Sequence, residues 1–220
     1  PSVDAEIIAL AVRYFESLGL SDLQLLINSV GCPKCRPQYR LVLQEFLRDK
    51  QTELCENCQS RFERNPMRIL DCKEEKCNRL SAGAPQMVDC LCEECSGHFA
   101  GLQQFLQAAG ILYTLNPRLV RGLDYYTKTA FEIQYPLLGA QSAVCGGGRY
   151  DGLIEECGGP STPGIGFAIG LERVLLAMEK QQLLPPAQDE VPVWVIPMGA
   201  EAVLPAFRLL SQLRDQGIRA

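Results

Sequence analysis

Charged and aromatic residues stand directly before a predicted strand in the stretch LVRGLDYYTKTAFEI, residues 119–133. The second half of this stretch alternates apolar and polar residues with a period of two, which is typical of a half-buried strand. The first half contains Arg121, Asp124, Tyr125 and Tyr126. Charged side chains at the mouth of such a strand need partners or a ligand, so the stretch is a candidate site.

Three consecutive glycines, residues 146–148, belong to a second candidate stretch, SAVCGGGRYDGLIEECGG, residues 142–159. Glycine lets the backbone approach a ligand closely or adopt a positive φ. A β-bulge or a sheet corner is the alternative explanation. Arg149, Tyr150 and Asp151 follow the glycines directly, and their presence favours a binding site.

A third stretch, PGIGFAIGLERVLLAME at residues 163–179, predicts a strand that runs into a helix. Small residues alternate along the strand and leave space on one of its faces. They are Gly164, Gly166, Ala168 and Gly170. The helix stripe that we expect to be buried comprises Leu171, Val174, Leu175 and Met178. Arg173 stands near the helix start, where the helix dipole disfavours a cation, so a ligand or an ion-pair partner should explain it.

Nine of the eleven cysteines lie between residues 32 and 95, and eight of these form four pairs. The pairs are Cys32 with Cys35, Cys55 with Cys58, Cys72 with Cys77, and Cys92 with Cys95. This spacing lets two thiolates face one tetrahedral ion about 2.3 Å away. Without a signal peptide it indicates zinc rather than a disulfide framework. Four pairs supply two closed sites, which are structural because no coordination position is left for water.

The spacing leaves the grouping of the pairs open. We expect the first two pairs to form one site and the last two pairs the other, and a cross-braced grouping is equally allowed. Free buried thiols that behave as small apolar residues are the alternative to metal. The span from Lys34 to Arg79 has eleven basic and eight acidic residues, a formal charge of +3. Two filled sites would change that to about −1, so charge alone does not indicate RNA binding.

The elements that must position these residues follow from periodicity. A first amphipathic helix is stopped by Gly19, and its expected buried face comprises Ile7, Ile8, Ala11, Tyr14, Phe15 and Leu18. A strand over 23–28 and further strands after 111 would share one sheet, with the cysteine module inserted between them. His98, the sole histidine, is expected on a helix surface, with a zinc role possible.

Pro185 and Pro186 mark a linker. A buried strand over 191–198 and a helix over 201–216 follow it.

Composition bounds the class of protein. The chain is 47% hydrophobic and 21% charged, with a net charge of −5, so nothing in the overall charge indicates nucleic acid. No apolar run approaches the roughly 18 residues that span a bilayer. The lack of a signal-peptide pattern favours the cytoplasm. The chain begins with Pro1 rather than Met, and both ends are expected to be cut from a longer protein.

The three candidate stretches together resemble histidyl-tRNA synthetase, a class II aminoacyl-tRNA synthetase. The stretches LVRGLDYYTKTAFE and GGGRYDGL are similar to the two histidine-specific motifs of that family, and GIGFAIGLERVLLAME is similar to class II motif 3. DAEIIAL, INSVGC and NPMRILDCK extend the resemblance over nearly the whole chain. It implies an α+β fold: a class II antiparallel sheet with helices, a helical cysteine-rich insertion and the start of an α/β anticodon-binding domain.

The resemblance implies four parts. Residues 1–30 and 111–182 would form the catalytic domain, residues 31–110 the insertion, and residues 190–220 the start of the anticodon-binding domain. The insertion would contact the acceptor arm of tRNA(His). The full-length protein would be a homodimer.

The resemblance also implies a reaction, in which ATP activates L-histidine to histidyl-adenylate and the histidyl group then passes to tRNA(His). Arg121 would be the catalytic arginine at the α-phosphate, where negative charge grows. The family's histidine pocket would be lined by Tyr125, Tyr126, Gly146, Gly147, Gly148 and Tyr150. Arg121, Gly170 and Arg173 would bind ATP, with Mg²⁺ neutralising its β and γ phosphates.

The chain departs from the family pattern in two ways. Class II motifs 1 and 2 and most of the anticodon-binding domain are missing, so the chain alone is not expected to aminoacylate tRNA and should bind histidine or ATP weakly, if at all. Many relatives lack the cysteine pairs, so zinc is inferred from spacing.

Two other interpretations compete with the ligase. One is a non-catalytic paralogue, the regulatory subunit of ATP phosphoribosyltransferase, against which Arg121 and Arg173 argue. The other is a zinc-ribbon nucleic-acid module with an unrelated sheet. A synthetase requires Arg121, Tyr126, Tyr150 and Arg173 to converge on one cleft, whereas a zinc module does not.

Overall fold

The computed structural model describes residues 1–122, 124–184 and 193–220, and of Ala140 the backbone alone. The chain divides into two compact units, Pro1–Leu183 and Leu184–Ala220. The helices are α1 (Ser2–Ser17), α2 (Arg36–Leu47), α3 (Glu56–Arg64), α4 (Glu75–Leu80), α5 (Glu93–Ala108), α6 (Leu153–Glu156), α7 (Leu171–Lys180) and α8 (Val203–Asp215).

A mostly antiparallel sheet forms the centre of the first unit. Its strands are β1 (Gln24–Gly31), β2 (Thr114–Leu115), β3 (Thr127–Gln134), β4 (Ala143–Arg149) and β5 (Ile165–Ile169). They lie in the order β2-β1-β3-β4-β5, and only the short β2 runs parallel to its neighbour β1. The sheet and its helices confirm the α+β class predicted from the sequence, and β1 and β3 are adjacent although the cysteine-rich segment separates them along the chain.

Helices α1 and α5 cover one face of the sheet. The core between them contains Ile8, Phe15, Ile27, Leu102, Leu106, Phe131 and Ile133, each at most 1% exposed. Burying an apolar side chain of this size contributes roughly 1.5–3 kcal/mol. The buried side of α1 differs from the prediction, because it includes Asp4 and Ala5 while Tyr14 is exposed.

The cysteine-rich segment builds a second core from short elements. Helices α2, α3 and α4 alternate with 3-10 segments at Arg48–Glu53, Pro66–Ile69 and Met87–Cys90. Tyr39, Leu43 and Leu47 are fully buried on one side of α2, together with buried cysteines. Helix α5, which enters from this segment, packs its Phe99, Leu102 and Leu106 in the sheet core. The boundaries predicted at residues 30 and 110 remain predictions.

The strand-to-helix stretch is present as β5 and α7, but the buried side of α7 is narrower than predicted. Val174 and Ala177 are buried, whereas Leu171 and Leu175 are 64% and 54% exposed. In the contacts of the first unit, α7 packs against β4 and the 3-10 segment Pro136–Gln141. Such a narrow contact covers only one line of side chains.

The second unit contains the predicted final helix as α8, preceded by a 3-10 turn at Ala200–Ala202. The buried strand predicted before it is not found in the described residues 193–198, and Trp194 is 80% exposed. A strand needs a neighbour for its backbone groups, and the described part of this unit provides none. Residues 191 and 192 and the predicted linker prolines lie outside the described residues. No helix in the described ranges is long and apolar enough to cross a bilayer.

Candidate functional site

The face of the sheet opposite α1 and α5 has a floor of small residues. Register pairs place Glu132 beside Gly146 and Gly146 beside Ala168, and Ala130 beside Gly148 and Gly148 beside Gly166. Residues directly opposite in a ladder point to the same face, so these residues lie on the same side of the sheet. Gly147 points to the other side, where an added Cβ would lie 2.3 Å from the Gly166 carbonyl oxygen.

Arg121 lies flat over this floor. Its Nη1 donates to Glu132 Oε2 at 2.8 Å, and both side chains are largely covered. A Cβ added to Gly146 would lie 2.4 Å from the guanidinium nitrogens, so only glycine admits the arginine in this position. Arg121 thus places a fixed positive charge above the glycine floor, and its buried Nε–H group makes no hydrogen bond in the described part of the chain.

Three tyrosines cluster beside the arginine. The rings of Tyr125 and Tyr126 lie 4.7 Å apart, and Tyr125 meets Tyr150 edge-on at 6.2 Å. Tyr126 packs over Gly148, and Tyr150 packs over Gly164 and Gly166. Burial raises the pKa of Tyr126. A neutral phenol both donates and accepts hydrogen bonds, so the cluster offers polar groups at the edge of an aromatic surface.

Arg173 lies at the far end of the floor. Its Nη1 donates to the Ala143 carbonyl at 2.9 Å and its Nη2 to Gln141 Oε1 at 3.2 Å. Gly170, before the helix, donates its N–H to the Val144 carbonyl at 3.0 Å. The partners of this arginine are therefore two neutral oxygens at and before the start of β4, not the ion-pair partner that was one of the two predicted explanations. Arg173 also lines a cleft that extends to Arg121, so the other explanation, a ligand, stays a prediction.

Two clefts meet at Arg121. One, of about 550 Å³, runs from Arg121 and Glu132 over Gly146 to Arg173. The other, of about 480 Å³, is lined by Arg121 and Tyr126 together with residues of the cysteine-rich segment. Tyr150 lines neither cleft and joins the group through Tyr125. Of the predicted site residues, Arg121 and Tyr126 line the smaller cleft, and Arg121, Gly146, Gly170 and Arg173 line the larger one.

Sequence reasoning missed Glu132 and Gln134 as members of the site. Both line the larger cleft, and Gln134 Nε2 donates to Glu132 Oε1 at 2.5 Å. The signal was present in the alternation of β3, because polar residues two apart share a face. That face of β3 became a candidate for ligand binding only when the strand register placed it beside the glycines of β4.

The cysteine pairs group differently from the prediction. Cys32, Cys35, Cys92 and Cys95 form the outer cluster, and Cys55, Cys58, Cys72 and Cys77 form the inner cluster. The grouping is nested, neither sequential nor cross-braced. The physical reason is that α5 returns to the sheet beside the end of β1, which brings the last pair to the first. All eleven cysteines, every one within the described ranges, are free thiols.

The geometry of both clusters fits zinc. The four sulfur atoms of each cluster lie within 4.8 Å of one another, with Cys32–Cys35 at 3.5 Å and Cys55–Cys72 at 3.9 Å. A tetrahedral ion with bonds of about 2.3 Å sets sulfur atoms roughly 3.8 Å apart. Backbone N–H groups point at sulfur, from Cys92 to Cys35 at 3.2 Å and from Cys55 to Cys77 at 3.3 Å.

The thiol pKa values differ within the outer cluster. Burial acts to raise the pKa of Cys32, but backbone N–H groups of Cys35 and Lys34 lower it to about 7. Burial raises the pKa of Cys95. A cation at the centre of the cluster would stabilise the buried thiolates electrostatically.

His98 is not on a helix surface as predicted. Its side chain is 10% exposed, and its Nε2 lies 3.4 Å from Asp4 Oδ2, because α5 packs against α1 at this position. Asp4 is fully buried and also accepts from Thr129 Oγ1 at 2.5 Å and from Arg149 Nε at 3.1 Å. Arg149 in turn pairs with Asp151 at 2.8 Å. This network ties α1, α5, β3 and β4 together.

Comparison with known proteins places these features in a family. A family model described as histidyl-tRNA synthetase matches residues 1–174. The chain is 54% identical over 220 residues to a histidine–tRNA ligase of Desulforamulus reducens, covering 100% of this chain and 52% of that protein. The chain thus spans about half the length of the curated relatives that it matches.

Solved structures agree with this match. The chain resembles apo histidyl-tRNA synthetase of S. aureus with a TM-score of 0.68 and 40% identity, covering 100% of this chain and 54% of that one. It also resembles an ATP phosphoribosyltransferase regulatory subunit/histidyl-tRNA synthetase of Bacillus halodurans, with a TM-score of 0.51, 21% identity, and coverage of 99% and 57%. The second likeness shows the fold alone.

Proposed function

The chain belongs to the histidyl-tRNA synthetase family, and we propose that it carries the histidine-binding and ATP-binding part of a histidine–tRNA ligase. The ligase would join the histidine carboxylate to the α-phosphate of ATP, releasing pyrophosphate, and would then transfer the histidyl group to tRNA(His), releasing AMP. The observation that carries the proposal is the glycine-floored face on which Arg121 is held by Glu132 at 2.8 Å.

Arg121 would stabilise the α-phosphate while the histidine carboxylate attacks it. Negative charge builds on the phosphate oxygens in that step, and a fixed cation that needs no reorganisation stabilises it. Glu132 holds the guanidinium against the sheet before ATP binds. Gly146 keeps the space that the guanidinium occupies. The guanidinium lines the larger cleft, where it would meet phosphate oxygens.

The tyrosine cluster and the glycines would select histidine. Hydroxyl groups of Tyr126 and Tyr150 would hydrogen-bond the imidazole and the ammonium group, with Tyr125 between them, and Gly146 and Gly148 would underlie the substrate. A pocket built for such hydrogen bonds rejects an amino acid without them, since buried polar groups would stay unpaired. Gly147 would act from the opposite face, by packing of the strands.

Arg173 and Gly170 would bind the ATP on the other side of Arg121, with Arg173 at the γ-phosphate or stacked on adenine. Asp71 and Glu132 are carboxylates that line this cleft, and one or two carboxylates with substrate phosphates are the usual surroundings of Mg²⁺. The ion, when bound with ATP, would neutralise the β and γ phosphates.

Both cysteine clusters would hold structural Zn²⁺. The sulfur geometry and the N–H groups directed at sulfur support this. The clusters would stabilise the insertion that contacts the tRNA acceptor arm. The complete ligase would be a cytoplasmic homodimer, in a compartment where free thiols persist. A non-catalytic histidine sensor is the weaker candidate, because it has no phosphate for Arg121 and Arg173 to bind.

The proposal is tested by calorimetric titration of the purified chain with histidinol and, as a matched control, with phenylalaninol, which lacks the imidazole. Saturable heat with histidinol alone is expected, and a Tyr126→Phe variant should lose much of it. Equal heat from both compounds, or none from either, would contradict a histidine pocket in this chain. Metal analysis of the same sample is expected to give two zinc ions per chain.

A further inference from the structure

We propose that the cysteine-rich segment clamps the substrate loop, and that Arg36 and Arg68 are positioning residues for the proposed reaction. The substrate loop is the stretch that carries Arg121, Gly122, Asp124, Tyr125 and Tyr126. The inference deepens the proposed function and rests on it, because it names what holds the catalytic arginine and the histidine-binding tyrosines in place.

The substrate loop has no regular structure of its own. Its described residues lie outside every helix and strand, between β2 and β3. A loop without ladder hydrogen bonds opens easily unless side chains hold its backbone. A catalytic group on such a loop loses effectiveness when it is misplaced by about 1 Å. Groups that hold the loop are therefore part of the function.

Arg36 holds one side of the loop. Its Nη1 donates to the Asp124 carbonyl at 3.2 Å, its Nη2 donates to the Tyr126 carbonyl, and its Nε donates to the Val30 carbonyl at 3.0 Å. One half-buried guanidinium thus ties two loop carbonyls to the end of β1. Hydrogen bonds from a charged donor are stronger than neutral ones, and the planar fork fixes their directions.

Arg68 and Asn65 hold the other side. Arg68 Nη1 donates to the Gly122 carbonyl at 2.8 Å, and Asn65 Nδ2 donates to Asp124 Oδ1 at 2.6 Å. Arg68 is oriented by Asp71, whose Oδ1 lies 3.4 Å from Nε. These contacts explain Asp124 at the mouth of the strand, because its carboxylate and its carbonyl are both bound by the cysteine-rich segment.

Each arginine is fixed in turn by one cysteine cluster. Arg36 follows Cys35 of the outer cluster, and its N–H donates to the Cys32 carbonyl at 3.1 Å. Asp71, the partner of Arg68, precedes Cys72 of the inner cluster. On the first side, the side chain of Arg36 alone connects the outer cluster to the substrate loop. On the second side, Asp71 and Arg68 together connect the inner cluster to the loop. We therefore expect well-ordered clusters to fix the position of the substrate loop.

The clamp predicts a linkage between metal and histidine. A loop that is ordered in advance spares the substrate the entropy of ordering it, so binding is tighter. If metal in the clusters favours the ordered loop, histidine must in return favour metal retention by the same factor. The cysteine-rich segment would then serve the small-molecule site as well as any tRNA contact.

The experiment compares Arg36→Gln and Arg68→Gln with Arg48→Gln. Arg48 directly follows α2, is exposed, pairs with Glu45 at 2.5 Å and lines neither cleft. Histidinol affinity is measured by calorimetry, zinc content by metal analysis, and amide hydrogen exchange by mass spectrometry of peptides covering the substrate loop. Arg36→Lys tests whether the planar fork, rather than charge alone, is required.

Arg36→Gln and Arg68→Gln are each expected to bind histidinol roughly tenfold more weakly, the loss of about one charged hydrogen bond. Amide hydrogen exchange should quicken in the substrate loop. The exchange rates of α2 and β1 and the zinc content should stay unchanged. Arg48→Gln should bind histidinol as the unaltered chain does, and Arg36→Lys should recover only part of the loss. A merely structural arginine would quicken exchange throughout the segment and lower zinc content, and that result would overturn the clamp.

The outcomes separate the clamp from the proposed function. If the unaltered chain binds no histidinol, the proposed pocket fails, and loop exchange in Arg36→Gln still decides the clamp. If the unaltered chain binds histidinol and both variants match it in affinity and loop exchange, the clamp is wrong and the pocket stands.

Discussion

The sheet and the cysteine-rich segment maintain their folded structures by different means. The sheet packs long strands and two sixteen-residue helices, α1 and α5, around large apolar side chains. The segment has helices of six to twelve residues, and six of its buried core positions are cysteines. A small core seldom stabilises a fold without a metal or disulfides. In the cysteine-rich segment, where the helices are short, cysteines therefore occupy core positions that large apolar side chains fill in the sheet.

The largest expected effect is loss of the outer cluster. Cys95→Ser removes one ligand of a cluster whose metal would contribute to folding directly. We expect loss of one zinc ion per chain and destabilisation on the order of 4–5 kcal/mol confined to the cysteine-rich segment. Hydrogen exchange should quicken from α2 to α4 and stay slow in β3 and β4.

Cys157→Ser is the control for this variant, because Cys157 is exposed and belongs to neither cluster. Uniform loss of protection across the sheet would show that the two regions do not differ as described.

The second effect concerns the polar network inside the sheet core. Asp4→Asn removes the buried one of the two carboxylates that pair with Arg149 and leaves only the more exposed Asp151, and we expect a loss of about 3 kcal/mol in the free energy of unfolding. Zinc content should not change. Denaturant unfolding measures the difference, and an exposed carboxylate, Glu6, supplies the control as Glu6→Gln.

The same network gives the sheet a pH dependence. Burial acts to raise the pKa of Asp4, but hydrogen bonds from Arg149 and Thr129 and the nearby His98 lower it below its ordinary value of 3.8. Its stabilising contribution is therefore complete above that value and is lost as pH falls through the lower folded pKa. Asp4→Asn should flatten the acid limb of the stability curve. An unchanged acid limb would contradict this account.

The smallest expected effect on stability is the difference between alanine substitutions at two neighbouring glycines, Gly146 and Gly147. Gly147→Ala places a Cβ 2.3 Å from the Gly166 carbonyl oxygen and 2.7 Å from the Phe167 side chain, so β5 must shift. We expect a loss of about 1–3 kcal/mol, as for other overpacked sites. The nearest atoms to a Cβ at Gly146 belong to the guanidinium of Arg121, a long side chain that can be displaced without moving the backbone. Gly146→Ala should cost less than about 1 kcal/mol and yet reduce histidinol binding.

Thermal unfolding and calorimetry of the pair measure both quantities. Equal destabilisation by the two substitutions would show that these glycines do not face opposite sides of the sheet.

Much of the candidate site was predictable because its signals are local. The alternation of β3, the glycine run and the strand-to-helix stretch each depend on residues adjacent in sequence. The α+β class followed from the family resemblance that these stretches carry. The partner that fixes Arg121 was not predictable, because Glu132 meets the arginine only through the path of the loop.

What failed depended on long-range geometry. Sequential grouping of the cysteine pairs was the simpler choice, but the position of α5 brings Cys92 and Cys95 back to Cys32 and Cys35. The apolar periodicity of α7 overestimated burial at Leu171 and Leu175, because periodicity gives the direction of a face and not the width of its contact. The strand expected over 191–198 had no described neighbour to pair with.

Nesting of the two cysteine clusters sets an order for their assembly. The inner cluster closes the chain between Cys55 and Cys77, whereas the outer cluster encloses the longer stretch from Cys32 to Cys95. Closing the longer loop costs about 1 kcal/mol more chain entropy, unless the inner cluster has already shortened it. During synthesis the inner ligands also leave the ribosome before Cys92 and Cys95. The segment would therefore take up its metal from the inside outwards, and time-resolved zinc uptake on refolding would show two steps whose faster one survives in Cys95→Ser.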